Sequence, residues 1–452
     1  QIAEVAQNYY KFKYLFMRKT FLAWLLGAFA LTGTTATAQT SASAIESNKQ
    51  TLYSSDNHKS TPYRIPAITT ANNGDLIAVA DYRYCRMDIG FAGTGDGRID
   101  LRARISKDNG HTWQPHFTIV KGKGRALDAF HTGFGDPCII ADKNSSKVFL
   151  LSCAGNVSFP AGTREKHQGI AIMHSEDNGQ TWSEPKDIAE NIYGMFDNCK
   201  RGPVRAMFIG SGKIHQSRYT KVDKYFRLYC SNLVTDVNGE RLNYVLYSDD
   251  FGNNWYVLGE KDDVPIINGD EPKVEELPDG RIVISSRCGG GRLFNIFEFE
   301  NKEKATGKWG KQAFSGAENN GTTAKSNACN GEILVLPVIR ISDKKQTNLV
   351  LQSVPFGPGR TNVGIYYKEL GDKSAYDTPA NFAKDWNGSI QASSLPSAYS
   401  TMTLQADNTI GFLFEEETYC SSWGGGYTIK YQKYSIEGIT NGAYKIDEKN
   451  VK

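Results

Sequence analysis

Short apolar or alternating runs follow one another along this chain, and none of them has the length or period of a long amphipathic helix. Runs at 76–80 (LIAVA), 148–151 (VFLL) and 281–285 (RIVIS) are typical. Asp-Gly, Asn-Gly and Gly-Gly steps lie between such runs and favour tight turns. The pattern predicts many short antiparallel strands.

One octapeptide occurs three times, as SKDNGHTW at 106–113, SEDNGQTW at 175–182 and SDDFGNNW at 248–255. The spacing of about seventy residues suits a module of several strands. In each copy the Asp can accept bonds from turn N–H groups, the Gly supplies a positive φ and the Trp can pack between sheets. We interpret the copies as structural, since one catalytic site does not need three of them. Repeated antiparallel modules close most readily into a β-propeller.

Composition supports this interpretation. The chain has 452 residues, including 44 Gly, 23 Tyr and 22 Phe, which favours β structure with many turns. The formal net charge of +3 is small for this length and argues against a nucleic-acid partner. Eight cysteines match no metal-ligand spacing, and several lie in apolar runs. Buried free thiols are therefore favoured over disulfides, whose connectivity the sequence does not give.

The N-terminal region predicts export. A basic stretch begins at Met17, an apolar run spans 21–31, and a small-residue cleavage site ends at Ala38. The apolar run is too short for a stable membrane span. We expect an upstream segment and signal peptide at 1–38, a short lead at 39–57 and a single propeller domain at 58–452. The mature protein would be periplasmic, on the cell surface or secreted.

Several motifs occur once each and in a fixed order. They are Tyr63-Arg64-Ile65-Pro66 before the first octapeptide, Asp81-Tyr82-Arg83, Asp88-Ile89-Gly90, Gly135-Asp136-Pro137, Asp270-Glu271-Pro272, Arg287, Gly359-Arg360, Ala398-Tyr399-Ser400 and Glu415. The octapeptides resemble Asp boxes, and the ordered set from about 58 to 435 is similar to exported bacterial exo-α-sialidases of glycoside hydrolase family 33. The resemblance implies an all-β fold, a six-bladed β-propeller with four-stranded antiparallel blades.

The resemblance also implies an arginine triad for the substrate carboxylate, formed by Arg64, Arg287 and Arg360. Planar guanidinium groups suit a carboxylate because they can donate two parallel hydrogen bonds. Glu415 occupies the family position that orients the first arginine, with Glu416 as the alternative.

Tyr399 matches the family's nucleophile and Glu271 its base. An anionic nucleophile would be repelled by the substrate's own carboxylate, and a phenol needs a neighbouring carboxylate to take its proton. Asp88 is the expected acid/base, with Asp96 and Asp100 as alternatives. The resemblance further places two secondary residues, Arg83 and Asp136, near the N-acetyl and ring contacts of the sugar.

These matches predict retaining hydrolysis of terminal sialic acid from sialylated glycans, without a metal or organic cofactor, by a protein that we expect to be monomeric. Two alternatives remain open, namely a trans-sialidase or intramolecular trans-sialidase with the same site, and a non-catalytic glycan-binding propeller. The third octapeptide carries Asn254 where Thr is usual, and later copies are at best degenerate, ending at Trp309 and Trp386.

Overall fold

The computed structural model describes residues 49–55, 62–91, 96–126, 128–417 and 427–451. The predicted signal peptide, with its start at Met17 and its cleavage site near Ala38, lies outside these residues and stays a prediction. In the described part the longest helix has six residues, so no long helix interrupts the predicted run of strands. None of the described helices is long and apolar enough to cross a membrane.

The strands are, in chain order, β1 (Gln50–Tyr53), β2 (Tyr63–Thr70), β3 (Leu76–Arg83), β4 (Ile99–Ser106), β5 (Phe117–Val120), β6 (Phe134–Ala141), β7 (Val148–Ala154), β8 (Gly169–Ser175), β9 (Lys186–Asp187), β10 (Ala206–Ile209), β11 (Gly212–Lys213), β12 (His215–Val222), β13 (Tyr225–Thr235), β14 (Arg241–Ser248), β15 (Tyr256–Val257), β16 (Ile266–Ile267), β17 (Pro272–Glu276), β18 (Ile282–Cys288), β19 (Gly291–Asn301), β20 (Thr306–Trp309), β21 (Ala313–Ser315), β22 (Ile333–Arg340), β23 (Gln346–Pro355), β24 (Val363–Glu369), β25 (Gly388–Gln391), β26 (Ser397–Leu404), β27 (Ile410–Glu417), β28 (Tyr427–Tyr434) and β29 (Tyr444–Ile446). The α-helices are α1 (Ala189–Gly194), α2 (Pro379–Ala383) and α3 (Ile436–Ile439). Short 3-10 turns cover Gly124–Ala126, Phe130–Thr132, Phe159–Ala161, Ala317–Asn319 and Lys373–Ala375.

These strands form six antiparallel blades, which confirms the predicted propeller. Blade 1 is β2–β5, blade 2 is β6–β9, blade 4 is β17–β20 and blade 5 is β22–β25. In blade 3 the innermost strand is split into β10 and β12, both paired with β13, and β14 and β15 complete the sheet. Blade 6 consists of β26, β27, β28 and β1.

The ring closes through the N-terminal part of the chain. Strand β1 pairs antiparallel with β28 and supplies the outermost strand of blade 6. The expected domain start at residue 58 is therefore too late, because the stretch from Gln50 to Tyr53 belongs to the propeller. Blades 6 and 1 also share one sheet through the pairing of Tyr63 with Tyr427. Such closure of the last blade by a distant segment ties the two ends of the ring together.

The connectivity places all the inner strands in one direction. Each blade is a simple meander from the centre outwards, so the starts of the inner strands and the loops between second and third strands lie on one face of the ring. We call this the upper face. The turns between third and fourth strands lie on the opposite, lower face.

The three octapeptides lie in these lower turns, after β4, β8 and β14. In the second copy Ser175 donates to Asp177 at 2.8 Å, and Asp177 accepts from the N–H of Thr181 at 2.9 Å and from its hydroxyl at 2.6 Å. In the third copy the Asn254 side chain replaces that hydroxyl and donates to Asp250 at 2.6 Å. The structural interpretation of the repeats is thus confirmed, since each Asp is occupied within its own turn.

Each octapeptide also packs its blade against the one before it. Trp113 contacts Tyr431 of blade 6 at a ring-centre distance of 5.1 Å, and Trp255 contacts Phe149 of blade 2 at 5.9 Å. The Gly of each copy has a positive φ and stands where a Cβ would meet the preceding blade; at Gly179 it would lie 2.6 Å from Cδ1 of Ile77. Trp309 and Trp386 are buried at the next two boundaries around the ring, between blades 3 and 4 and between blades 4 and 5.

The centre of the ring holds buried charged side chains between the inner strands. Glu275 accepts from Lys213 at 3.0 Å and lies 2.9 Å from the His215 ring nitrogen, while Lys273 lies 3.4 Å from Glu332. Although burial opposes ionisation, His215 and the neighbouring cations hold the pKa of Glu275 well below its ordinary value. The inner strands of several blades are thereby joined through ion pairs.

The seven described cysteines are free thiols, five of them buried and two partly buried. This agrees with the buried free-thiol interpretation for these seven, while Cys420 lies outside the described residues.

Candidate active site

Three inner strands depart from regular pairing where they reach the upper face. The register of β2 shifts between Arg64 and Ala67, that of β6 shifts between Gly135 and Cys138, and that of β26 shifts between Ser397 and Ser400. Bulges of this kind change the direction in which a side chain points. They fall on the motifs that carry Arg64, Asp136 and Tyr399, which the ring brings to its centre.

Two residues at these bulges have a left-handed backbone, namely Ile65 with φ 54° and Asp136 with φ 57°. A positive φ is costly for a β-branched residue such as isoleucine, of order 1–3 kcal/mol, and persists only where the surroundings impose it. Here the N–H of Ile65 donates to Glu415 at 2.8 Å, and the N–H of Asp136 donates to Asp81 at 2.9 Å. Buried carboxylates therefore hold the strained backbone in place.

Glu415 of β27 organises one side of the site. It is fully buried and accepts from Arg64 through Nε at 2.7 Å and Nη2 at 3.3 Å, a two-point ion pair. Its second oxygen also accepts from the N–H of Tyr399 at 3.1 Å. Glu416, the alternative, turns away and binds Lys49 at 2.6 Å and Ser393 at 2.5 Å. The sequence-predicted pairing of Glu415 with Arg64 is present in the structure.

Tyr399, Glu271 and Arg287 form a compact hydrogen-bonded group at the bottom of the site. The hydroxyl of Tyr399 donates to Glu271 at 2.6 Å, and Nη1 of Arg287 bonds both Glu271 at 2.7 Å and the Tyr399 oxygen at 3.2 Å. Burial, together with the charge of Glu271, raises the pKa of Tyr399 well above 10.0. The phenol is thus protonated at rest, with a carboxylate placed to accept its proton.

The other two arginines of the predicted triad stand beside the same tyrosine. The guanidinium carbons of Arg64 and Arg360 lie 5.7 Å and 5.8 Å from the centre of the Tyr399 ring. Arg64 comes from blade 1, Arg287 from blade 4 and Arg360 from the β23–β24 loop of blade 5. Three cations from three blades converge on one tyrosine, which suits an anionic ligand above it.

Arg83 and three carboxylates form the blade 1 side of the site. Arg83 is buried and bonds Asp81 at 2.7 Å and Asp88, and it lies 3.7 Å from Asp136. The charge of Arg83 holds the pKa of Asp88 below its ordinary value, although partial burial of the Asp88 carboxyl group opposes this. The charges of Arg64 and Arg360 add to the lowering. The Asp88 side chain is 51 % exposed, so among these carboxylates it is the one open to a ligand from above.

Burial has the opposite effect on the two deeper carboxyl groups. It raises the pKa of Asp81 to about 6, and it raises the pKa of Asp136 well above its ordinary value, reinforced by the charge of Asp81. Because one guanidinium cannot balance three carboxylates, burial favours protonation of the two deeper carboxyl groups over protonation of Asp88. Asp88 is thus the one carboxyl group of the three whose pKa is lowered.

The two alternatives to Asp88 lie elsewhere. Asp100 is buried in β4, where it binds Arg98 at 3.1 Å and accepts from the N–H of Gly122 at 3.1 Å. Asp96 accepts from the N–H of Arg98 at 3.0 Å within the same loop. Neither contacts the arginines of the central group, whereas Asp88 feels the charges of Arg64 and Arg360.

Two residues that contribute to the site were not predicted as site residues from the sequence. Asp81 holds both Arg83 and the Asp136 backbone, and its signal was the two-residue spacing to Arg83, which puts both side chains on one face of β3. Tyr427 packs its ring 4.8 Å from the Arg64 guanidinium carbon. Nothing in the sequence distinguished Tyr427 from the other tyrosines.

The site therefore contains three arginines that can bind an anion, a tyrosine hydroxyl hydrogen-bonded to a carboxylate, and an exposed aspartate. Among the described residues, no group of three or more His, Cys, Asp or Glu side chains could hold a metal ion.

Comparison with known proteins gives matches of three kinds, to a family model, to a curated protein and to solved structures. Residues 87–336 match the family model described as a BNR repeat-like domain. The Clostridium perfringens sialidase is 24 % identical over 394 residues, covering 78 % of this chain and 94 % of that protein. Among solved structures, Hadza microbial sialidase Hz136 matches with a TM-score of 0.65 at 20 % identity, covering 86 % of this chain and 69 % of that one. The intramolecular trans-sialidase from Ruminococcus gnavus matches with a TM-score of 0.63 at 17 % identity, covering 87 % and 98 %.

The structural matches show the fold, and the family model spans more than half of the chain. The C. perfringens similarity extends over nearly all of that relative. On these grounds the protein belongs to the BNR repeat-like domain family and is, within it, a glycoside hydrolase of the bacterial sialidase type.

Proposed function

We propose that this protein is an exo-α-sialidase that hydrolyses terminal sialic acid from sialylated glycans with retention of configuration, through a covalent bond to Tyr399. The observation that carries the proposal is the hydrogen bond of 2.6 Å from the Tyr399 hydroxyl to Glu271, with Arg287 bonded to both. This arrangement supplies a nucleophile, its base and a cation at one point.

Substrate binding begins with the carboxylate on the anomeric carbon. Arg64, Arg287 and Arg360 would hold it from three directions, and Glu415 keeps Arg64 aligned. The bound carboxylate also offsets the positive charges that lower the pKa of Asp88, so the pKa of this group rises when substrate binds. Asp88 can therefore supply a proton to the leaving group once substrate has bound.

In the first step the Tyr399 oxygen attacks the anomeric carbon while the glycosidic C–O bond breaks. The phenolic proton passes to Glu271, and the proton of Asp88 passes to the departing sugar oxygen. A neutral phenol approaches the substrate carboxylate without the repulsion that an aspartate or glutamate nucleophile would meet.

In the second step water attacks the anomeric carbon of the sialyl-enzyme. Asp88 takes a proton from that water, the bond to Tyr399 breaks, and Glu271 returns its proton to the phenolate. Two inversions give net retention. Transfer to a sugar acceptor, or internal attack by a hydroxyl of the sialyl group, would use the same intermediate; the latter is motivated by the fold match to an intramolecular trans-sialidase.

The test compares wild type with Tyr399→Phe on methyl α-sialoside, and follows the products by NMR with and without lactose. We expect α-sialic acid as the first product of the wild type, no sialyl transfer to lactose, and loss of at least about a thousandfold in kcat for the variant. A 3-fluorosialyl fluoride probe should label Tyr399 in peptide mapping. A folded wild type without activity would refute the enzyme assignment, and labelling of another residue would refute the nucleophile.

A further inference from the structure

The first part of the loop between β3 and β4, residues 84–91 with Asp88, packs closely on blade 2. Ile89 is 2 % exposed and packs with Cys85, Ile99 and Cys153. Gly90 has φ +75°, and a Cβ at this position would overlap the backbone of the β7–β8 loop at Ser158. Such close packing fixes the direction in which the neighbouring side chains of the loop point.

Two apolar side chains flank Asp88 on this loop and remain open. Met87 precedes it and Phe91 follows one turn later, with its N–H donating to the Asp88 carbonyl at 3.2 Å; each is 37 % exposed. Single exposed apolar residues are common, so exposure alone means little. Their position on both sides of the acid is informative.

The inference rests on the proposed function. If Asp88 protonates the glycosidic oxygen, that oxygen lies within hydrogen-bond reach of its carboxylate, at about 2.6–3.2 Å. The first sugar ring of the leaving group is attached directly to this oxygen, and it must therefore lie beside the same loop. A pyranose presents C–H groups on one face, and these pack well on an aromatic ring and a thioether.

We infer that Phe91 and Met87 form the binding platform for the hexose adjoining sialic acid, with Phe91 stacking against its apolar face and Met87 packing at its edge. The platform contributes to recognition of the leaving group and makes no contact with the sialyl carboxylate. It distinguishes glycans with a pyranose at this position from sialosides with a small alkyl group.

The experiment compares two substrates that both release an alkyl alcohol. One is methyl α-sialoside, which has no second ring, and the other is sialyllactose, as whichever of the 3′ and 6′ isomers the wild type cleaves faster. For Phe91→Ala we expect the ratio of kcat/KM for sialyllactose to kcat/KM for methyl sialoside to fall about fivefold to tenfold, mainly through KM. Met87→Ala should reduce the ratio about twofold to threefold, and Phe91→Trp should restore it.

Tyr219→Ala serves as the matched control, because Tyr219 is an exposed aromatic residue, 52 % accessible, in the half of β12 nearer the lower face. It should leave the ratio as in wild type. An unchanged ratio in Phe91→Ala would overturn the platform, and so would an equal loss on both substrates, which would point to displacement of Asp88. Inactivity of the folded wild type on both substrates would instead refute the proposed function, so the two failures are distinguishable.

Discussion

Replacing Glu415 by glutamine should damage both the stability of the protein and its site. The carboxylate is fully buried and accepts four hydrogen bonds, two from the Arg64 side chain and one each from the N–H groups of Ile65 and Tyr399. Glutamine has the same shape, yet it is neutral and turns an NH2 donor towards N–H groups that are themselves donors. Arg64, whose side chain is only 11 % exposed, would keep a charge without a counter-ion.

The magnitude follows from this geometry. Breaking a buried ion pair by removing one partner costs about 3–5 kcal/mol, and we expect about 3 kcal/mol here because glutamine still accepts one bond. The Glu415→Gln substitution also frees Arg64 and relaxes the strained backbone at Ile65, in the strand next to β26, which carries Tyr399. A displacement of about 1 Å in a positioning group typically costs about a hundredfold in rate, so kcat/KM should fall by roughly that factor.

Glu416→Gln is the matched control, since this neighbouring glutamate pairs with Lys49, whose side chain is 29 % exposed. A partly exposed pair contributes about 1 kcal/mol or less, and it lies outside the group around Tyr399. Equilibrium urea unfolding and kcat/KM for methyl sialoside should be measured on both variants. Equal losses of stability for Glu415→Gln and Glu416→Gln, or wild-type kcat/KM in Glu415→Gln, would refute the reasoning.

Three further predictions follow from other parts of the structure. Arg83→Met removes the main cause of the lowered pKa of Asp88, so the alkaline limb of kcat/KM should move to higher pH while Arg83→Lys stays near wild type; a limb that moves to lower pH would contradict the assignment. Because the pKa of Glu275 is lowered in the folded protein, its ionised carboxylate stabilises the fold above pH 4.5, the ordinary pKa of glutamate. This stabilisation is lost as the pH falls from 4.5 through the pKa of Glu275 in the folded protein. The free energy of unfolding in urea between pH 7 and 3.5 should therefore depend less on pH for Glu275→Gln than for wild type. Gly179→Ala should lose about 1–3 kcal/mol more than Gly239→Ala, because both residues have φ above +80° but only the alanine at 179 would press on Ile77; equal urea midpoints would exclude the clash.

The sequence by itself determined the local elements and the residue types of the site. Alternating apolar runs separated by Gly-containing turns specify antiparallel strands, since side chains in a strand alternate between two faces. The octapeptides are self-contained turns, so Asp177 and its partners could be interpreted without a structure. The unrepeated motifs pointed to Arg64, Glu271, Arg287 and Tyr399 only through their resemblance to a known family, because single arginines, glutamates and tyrosines are common in the chain.

Only the tertiary structure decided which of these groups meet. Tyr399 and Glu271 are 128 residues apart and Arg64 and Glu415 are 351 apart, and no local pattern encodes a contact over such separations. The ring closes by pairing β1 with β28, which moved the domain boundary to include Gln50. The choice between Glu415 and Glu416 also depended on the pleat of β27, because adjacent residues of a strand point to opposite faces and only Glu415 faces Arg64 of blade 1.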